Sequence, residues 1–550
     1  MSNSDYEAAR AANAGQPLSA TMMDYPLRVT DLIARAEQFF PEREIVSRLG
    51  TGDIERSNYA QLGETARRLA AALKVLGVQP GDRVATLMWN HATHIACYFA
   101  APAIGAVLHT LNPRLAPEEI AYIVADAGDS VVLVDEDLLP LWSEIEQFVK
   151  PPHVFVNGTA PDRQPLAELL TAQPLAAWPD GAVDENDPVS ICYTSGTTGR
   201  SKGVVYTHRS IILHGLGVTM PDILNMSGNN TVFTITPIFH VNGWGMPYVV
   251  TMHGARHVLP GPHITPAEIL DLLESEQVNS ALGVPTFWTA LLRELDASPG
   301  RWRLRDGLTF YSGGAAPPPE MFRRLERYGI GLQAGWGMTE CSPVGTQAWL
   351  KDEFNALDEA QQLDMRTSGG IPLPLVQMRI TDDEGRELPW DGNTKGELQV
   401  RGPWIARAYI GHPRQIAATT QDGWLKTGDI AVIRPDGYMR LVDRLKDLVK
   451  SGGEWISSID MENALISHPH VYEAAVISVP DETWGERPLA VITLRPDCEP
   501  DAMAIQQFLG ERYPKWMVPE RIEFIAEIPK TSTGKLNKLK LRKLYGGEKT

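Results

Sequence analysis

Residues 193–203 read YTSGTTGRSKG, directly after an apolar run, Pro188–Cys192, of strand character. Glycines and short hydroxyl side chains let several backbone N–H groups converge on one anion, and Lys202 adds a point charge. The same composition also suits a flexible surface connection. A helix opening near His208 is expected to add its positive end if it points at that anion. The stretch is not a Walker loop, because no Gly-x-x-x-x-Gly-Lys-Ser/Thr pattern is present.

Upstream of this loop, helix and strand signals alternate. Leu62, Ala66, Leu69, Leu73 and Leu76 form one helical stripe closed by Gly77. RVATLMW, VLHTLN and SVVLVDED read as buried strands, with HIACYFAAPAIGA and PEEIAYIVADAG as the helices between them. Helices between strands imply crossovers and a parallel sheet covered on both faces. From about residue 375, QMRITDDEGRELPW, KGELQVRGPW and GYMRLVDR are short strands with turn signals, and beyond DRLKDLVKSGGE the pattern becomes a compact α+β one. The expected fold class is α/β. It comprises a large N-terminal domain of helix-covered sheets (1–443), with a small β subdomain at about 375–443, and a small α+β C-terminal domain (444–550). The boundary is expected at a charged joint, Asp443–Lys446, of a kind that avoids cores.

The bulk composition restricts the function. A chain of 550 residues exceeds one compact core. A net charge of −18 argues against a nucleic-acid partner, though not against a small anion held by local donors. Cys97, Cys192, Cys341 and Cys498 are spaced for neither a disulfide framework nor a zinc site, which suits a reducing, cytoplasmic setting. No apolar run is long enough for stable membrane insertion. The opening MSNSDYEAARAANAGQ lacks the pattern of a signal peptide and reads as a loose leader.

Taken whole, YTSGTTGRSKG resembles the signature of the adenylate-forming enzymes, the superfamily of acyl-CoA synthetases, luciferases and peptide-synthetase adenylation domains. Further stretches follow in that superfamily's order: PIFHVNGW (237–244), YSGGAAPPP (311–319), QAGWGMTE (333–340), WLKTGDIA (424–431) and PKTSTGKLNK (529–538). Each has a plainer reading in isolation: a satisfied histidine, a common turn, a solvated lysine. Together they extend the resemblance over nearly the full chain.

The resemblance implies roles for individual residues. Thr194, Ser195, Gly196, Thr197, Thr198, Gly199 and Lys202 would hold the β- and γ-phosphates of ATP. Gly314, Ala315 and Ala316 would line the adenine pocket, where missing side chains let a flat base approach. Gly335, Trp336, Gly337 and Met338 belong to the same nucleotide site. Trp336 stands where the superfamily usually has tyrosine, and its indole can stack on adenine but lacks the phenol hydroxyl. Thr339 would touch the α-phosphate and Glu340 would hold Mg2+. Asp429 would accept both ribose hydroxyls, with Arg444 as the second ribose contact. Leu445 and Lys446 would be a hinge, and Lys535 the catalytic lysine.

The implied reaction uses ATP, Mg2+ and coenzyme A. A carboxylate attacks the α-phosphate to give an acyl-adenylate, a step of alignment and charge neutralisation that needs no general base. A mobile C-terminal domain then withdraws Lys535 and presents Gly452, Gly453 and Glu454 to a thiol. No Asp or Glu lies in TPIFHVNGWGMP, which disfavours an amino-acid substrate. His240, Asn242, Trp244, Val284, Pro285, Thr286, Gly335, Met338 and Pro343 are the candidate acyl-pocket residues, a mostly apolar set suited to a short- or medium-chain fatty acid.

The details FHVNGWG, WGMTE and LPWDG resemble the branch holding medium-chain fatty-acyl-CoA ligases and 3-methylmercaptopropionate-CoA ligases. The residues do not separate these two, and an enzyme passing the adenylate to a non-CoA acceptor is a further alternative. The basic tail KLNKLKLRKLYGGEK is expected as a solvated helix face, with Lys538, Lys540 or Arg542 meeting CoA phosphates as the second reading. The expected partners are a small carboxylic acid, ATP and CoA, and the oligomeric state is open between monomer and homodimer.

Overall fold

The helix Tyr59–Val75 shows how local sequence sets an element. Asn58 and Gln61 close a capping box at its start. Gly77 (φ 86°) lies just past its end, where Val78 N–H reaches back to the Leu73 carbonyl. The computed structural model describes residues 3–13, 20–178, 183–194, 200–411, 416–452, 454–531 and 535–546.

Two large sheets form the N-terminal part. A seven-stranded sheet runs in the order Gln164–Pro165, His153–Asn157, Asp129–Asp135, Arg83–Leu87, Val107–Thr110, Pro188–Tyr193, Gly203–Thr207. All its neighbours are parallel except the last pair. A nine-stranded sheet has a parallel centre, from Gly331–Gly337 through Thr309–Ser312, Ser280–Gly283, Thr231–Thr234 and Arg256–Leu259 to Glu44–Arg48. Its outer pairs are antiparallel.

The helix Ala92–Ala103 is apolar nearly all round and correspondingly buried, touching strands of both sheets. It is the filling between them, which is why its sequence shows no polar stripe. A four-stranded antiparallel sheet follows (Gln377–Thr381, Gly396–Arg401, Leu425–Ile433, Met439–Arg444). A five-stranded sheet with the helices Ser458–Ile466, Ala502–Gly510 and Lys538–Tyr545 then makes a smaller C-terminal unit with its own apolar core. The four cysteines are free, and no described helix is long and apolar enough to cross a membrane.

Two expectations need correction. The helix His208–Val218 does not aim its positive end at the 194–202 loop. Pro188–Tyr193 and Gly203–Thr207 form a hairpin with that loop at its tip, and the helix starts at the hairpin's base. There Thr207 caps it, and the His208 and Arg209 amides bond to the Asp187 and Glu185 carbonyls. A five-residue strand, about 16 Å, separates the two ends. The charged joint also differs from the surface position expected of it. Leu445 and Lys446 are exposed, but Asp443 is buried and accepts bonds from the Ser458 amide (2.6 Å) and hydroxyl (2.6 Å).

Candidate active site

The phosphate-loop candidate grows out of that hairpin. Thr194 and Lys202 close its neck, Thr194 N–H to the Lys202 carbonyl (2.9 Å) and Lys202 N–H to Thr194 Oγ1 (3.2 Å). Ser201 donates to Glu119 (2.6 Å), fixing the neck to the sheet's helical cover. A Cβ on Gly203 would lie 2.7 Å from the Ile410 side-chain tip, so a larger residue here would have to displace that side chain. Ser195, Gly196, Thr197, Thr198 and Gly199 lie outside the described residues.

Thr339 and Glu340 occupy a single 3-10 turn at the end of the strand Gly331–Gly337, the C-terminal end of parallel strands where α/β sheets bind ligands. The strand presses close to its partner, and a Cβ on Gly337 would sit 1.9 Å from the Pro343 carbonyl oxygen. Tyr206 donates to the Thr339 carbonyl (2.7 Å), and Ala406 N–H to the Glu340 carbonyl (2.7 Å). The Glu340 side chain is buried and accepts from the Tyr409 hydroxyl through Oε1 (2.5 Å). Among the described residues, no cluster of three or more ligating side chains surrounds it. A buried carboxylate whose second oxygen makes no hydrogen bond among the described residues fits Mg2+, which keeps waters and shares substrate phosphates, and does not fit an all-protein metal cage.

Asp429 and Arg444 are fifteen residues apart in sequence but directly opposite in the antiparallel pair Leu425–Ile433/Met439–Arg444. Arg444 Nε lies 3.4 Å from Asp429 Oδ1, and the Trp336 indole N–H donates to Oδ2 at 2.8 Å. Trp336 itself is buried, its ring lying where a Cβ on Gly345 would come within 2.7 Å.

Lys535 reaches this cluster from the C-terminal unit. Its loop is tied at the base by a bridge from Lys530 to Leu536 and by Asn537 N–H to the Pro529 carbonyl. Lys535 and Thr531 bond each other, Thr531 N–H to the Lys535 carbonyl (2.7 Å) and Lys535 N–H to Thr531 Oγ1 (3.1 Å). The side chain passes over Gly314 (φ 81°), where a Cβ would come 3.2 Å from Lys535 Cε and 3.3 Å from Val284. Burial, then the nearby Arg444 charge, lowers the Lys535 ammonium to about 8, with Asp429 and Glu340 acting in the opposite sense. Ala315 and Ala316 continue from Gly314 as exposed backbone.

The acyl-side candidates sit on unusual backbone. Val241 (φ 40°), Asn242 (36°), Gly243 (60°), Trp244 (56°) and Gly245 (75°) form an unbroken left-handed turn, which is costly for side chains with a Cβ and above all for valine. Asn242 holds it in place by donating to Ser190 Oγ (2.6 Å) and accepting from Thr110 (3.2 Å), so its amide is engaged with the seven-stranded sheet. The turn lays Trp244 on Gly313, where a Cβ would be 2.9 Å from the indole. His240 is held neutral at about 3, by burial first and then by Lys535 and Arg114. A small cavity of about 20 Å³ beside it is lined by Thr110, Tyr193, Thr194 and Phe239. Pro285 opens the helix Pro285–Ala297, with Thr286 following it, and Gly335 and Met338 flank the strand end.

Gly452 and Glu454 lie elsewhere, on the hairpin Val449–Ser451/Glu454–Ile456 of the C-terminal sheet, and Gly453 is outside the described residues. Gly452 (φ 60°) packs under Trp484, where a Cβ would meet the indole at 2.8 Å. Trp484, Trp455 and Trp516 all remain substantially exposed. The basic tail is neither plain surface nor a free cation row. Lys538 is half-buried and pairs with the buried Glu462 (2.7 Å), Arg542 pairs with Asp447, and Lys540 is exposed.

Two residues that sequence reasoning passed over face the site. Arg114 lies close enough to His240 to act on its charge, and its position just beyond the strand Val107–Thr110 was the available signal. Tyr409 joins Glu340 to Lys202, whose Nζ is 5.0 Å from the phenol ring centre. Nothing periodic marks it.

Residues 33–410 match the family of AMP-binding enzymes, and residues 460–535 its C-terminal domain. The chain is 44% identical over 528 residues to a long-chain-fatty-acid–CoA ligase of Thermus thermophilus (96% of this chain, 97% of the relative). It is 40% identical over 539 residues to a medium-chain-fatty-acid–CoA ligase of Ectopseudomonas oleovorans (96% and 97%). It is also 40% identical over 532 residues to a 3-methylmercaptopropionyl-CoA ligase of Ruegeria lacuscaerulensis (95% and 98%). Its fold is similar to an anthranilate CoA ligase crystallised with anthranoyl-AMP (TM-score 0.82, 26% identity, 95% of this chain and 98% of that one). The hairpin necked by Thr194 and Lys202, a carboxylate paired with Arg444 and a lysine delivered from a second unit thus occur in a chain that belongs to the AMP-binding enzyme family.

Proposed function

We propose that the chain is an acid–CoA ligase that forms an acyl-adenylate and then an acyl thioester in one site. The observation that carries the reading is the delivery of Lys535 over Gly314, within electrostatic reach of Asp429, Arg444 and Glu340. Asp429 and Arg444 orient the ribose, and Thr194 and Lys202 take the β- and γ-phosphates. Lys535 and Thr339 meet the α-phosphate as the substrate carboxylate oxygen forms its bond to phosphorus. The bond from that phosphorus to the bridging oxygen breaks, and pyrophosphate leaves. Mg2+, held by Glu340 and the phosphates, would supply further charge neutralisation.

In the second step the thiol sulfur of CoA bonds to the acyl carbon, AMP leaves and the thiol proton is lost. Rotation of a C-terminal domain (444–550) at Leu445–Lys446 would withdraw Lys535. The hairpin at Gly452–Glu454, with exposed Trp484, Trp455 and Trp516 around it, is a surface suited to a nucleotide-bearing thiol.

For the acid we infer a short- to medium-chain aliphatic carboxylate, including the thioether acid of the 3-methylmercaptopropionate type. The reading is supported by the apolar character of Trp244, Val284, Pro285 and Met338 and by the seating of Trp244 on Gly313. Aliphatic acids from C2 to C16 and thioether acids, compared by kcat/KM, test it. Highest values at or below medium length are expected, moving to longer acids in Trp244→Ala, whereas a wild-type optimum at C16 contradicts it. Lys535→Ala tests the mechanism. It should abolish adenylation while sparing thioester formation from supplied acyl-adenylate, and equal loss of both would refute the division of labour.

A further inference from the structure

Glu340 and Lys202 come from segments far apart in sequence, yet one side chain touches both. Tyr409 lies in the short antiparallel pair Ala408–Tyr409/Ile416–Ala417. Its segment is fastened to both partners by backbone: Ala406 N–H bonds to the Glu340 carbonyl (2.7 Å), and Ile410 N–H to the Gly203 carbonyl (2.8 Å), next to Lys202. Between these fixed points the phenol hydroxyl donates to Glu340 Oε1 at 2.5 Å, and the ring carries Lys202 Nζ 5.0 Å from its centre. Phenol to carboxylate is a short, charge-assisted bond, and the ring face attracts the ammonium electrostatically. A phenol is protonated at neutral pH, so the hydroxyl is the donor of this bond.

We propose that Tyr409 is a positioning residue that makes Glu340 and Lys202 one triphosphate-handling unit: its hydroxyl engages one Glu340 oxygen and turns the other to the metal, while its ring aims the Lys202 ammonium. The proposal rests on the reading of Glu340 as the Mg2+ carboxylate. Hydrogen-bond partners behind a metal ligand typically control affinity by 10–100-fold, and Tyr409 occupies that place. It also explains why the stretch around 409 is threaded between the phosphate hairpin and the Glu340 turn, since each supplies a backbone bond to it.

The test uses the full chain with Mn2+ as a spectroscopic probe for Mg2+ and a non-cleavable ATP analogue. Tyr409→Phe keeps the ring and removes only the hydroxyl, and Tyr409→Leu removes both. Glu340→Gln is the reference. Mn2+ affinity by paramagnetic resonance is expected to fall about tenfold or more in Tyr409→Phe and further in Glu340→Gln. Inhibition by added pyrophosphate should weaken several-fold in Tyr409→Leu and little in Tyr409→Phe, because only the former frees Lys202. Thermal melting of each variant controls for loss of fold. Unchanged Mn2+ affinity in Tyr409→Phe, with Glu340→Gln weakened, overturns the proposal and leaves the Glu340 reading intact. Unchanged affinity in Glu340→Gln overturns both.

Discussion

At the scale of single residues, Trp336 carries the plainest consequence of a departure from the family motif. Its indole N–H donates at 2.8 Å to the carboxylate that also pairs with Arg444, inside a buried setting. A hydrogen bond to a charged group contributes about 1.5–3 kcal/mol. Trp336→Phe, which keeps an aromatic ring, should therefore raise KM for ATP about tenfold and reduce discrimination between ATP and 3′-deoxy-ATP. Equal loss with both nucleotides would mean that the ring acts only by packing. Lys535 gives the second expectation. Its ammonium is lowered to about 8 by burial and Arg444, so it is charged below that pH and loses its charge above it. The ratio kcat/KM for ATP, which reports the free enzyme, should fall as pH rises through about 8, and Lys535→Arg should remove that limb. A profile unchanged by the substitution would assign the limb to another group.

At the scale of elements, the alternating strands and helices were legible because periodicity and Gly77 state them locally. The geometry of the acyl side was not. Nothing in VNGWG announces a left-handed turn, since Val241 and Trp244 are poor residues for positive φ and are held there by tertiary bonds, Asn242 to Ser190, Thr110 to Asn242 and Val241 N–H to Cys192. The direction of the helix His208–Val218 was hidden for a similar reason: hairpin pairing across Pro188–Thr207 is a long-range fact. The basic tail misled because charge counts do not reveal Glu462 and Asp447 as buried partners. Gly243→Ala probes the turn directly. A Cβ there would lie 2.7 Å from Ile238 at φ 60°, so a loss of about 2 kcal/mol or more is expected in denaturant unfolding, with a raised KM for the acid. Wild-type stability in this variant would show that the turn is not the ground state.

At the scale of the molecule, the site exists only because two units meet. Asp429, Glu340 and Lys202 belong to the N-terminal part, and Lys535 is brought by the C-terminal one. Part of the seam is Arg293 on the helix Pro285–Ala297, which donates to the Tyr472 hydroxyl (3.0 Å) and lies 4.6 Å over its ring. Such a contact is worth about 0.5–1 kcal/mol at an exposed site. Arg293→Ala should thus slow adenylation about two- to fivefold while leaving thioester formation from supplied acyl-adenylate unchanged or faster, measured as separate half-reactions. Equal slowing of both would contradict a seam specific to the first step. The sequence motifs made each half of this site readable, because each is a local pattern with its own proposed part of ATP to hold. Their meeting across the seam, and Tyr409 between two of them, depend on packing that no local pattern encodes.

In the proposed mechanism the substrate carboxylate itself attacks the α-phosphorus of ATP. An acid labelled with oxygen-18 in both carboxylate oxygens, turned over with ATP, Mg2+ and CoA, tests it by mass spectrometry of the products. One labelled oxygen in AMP, none in pyrophosphate, and a thioester retaining the other are expected. Label in orthophosphate, with ADP as the nucleotide product, would contradict it.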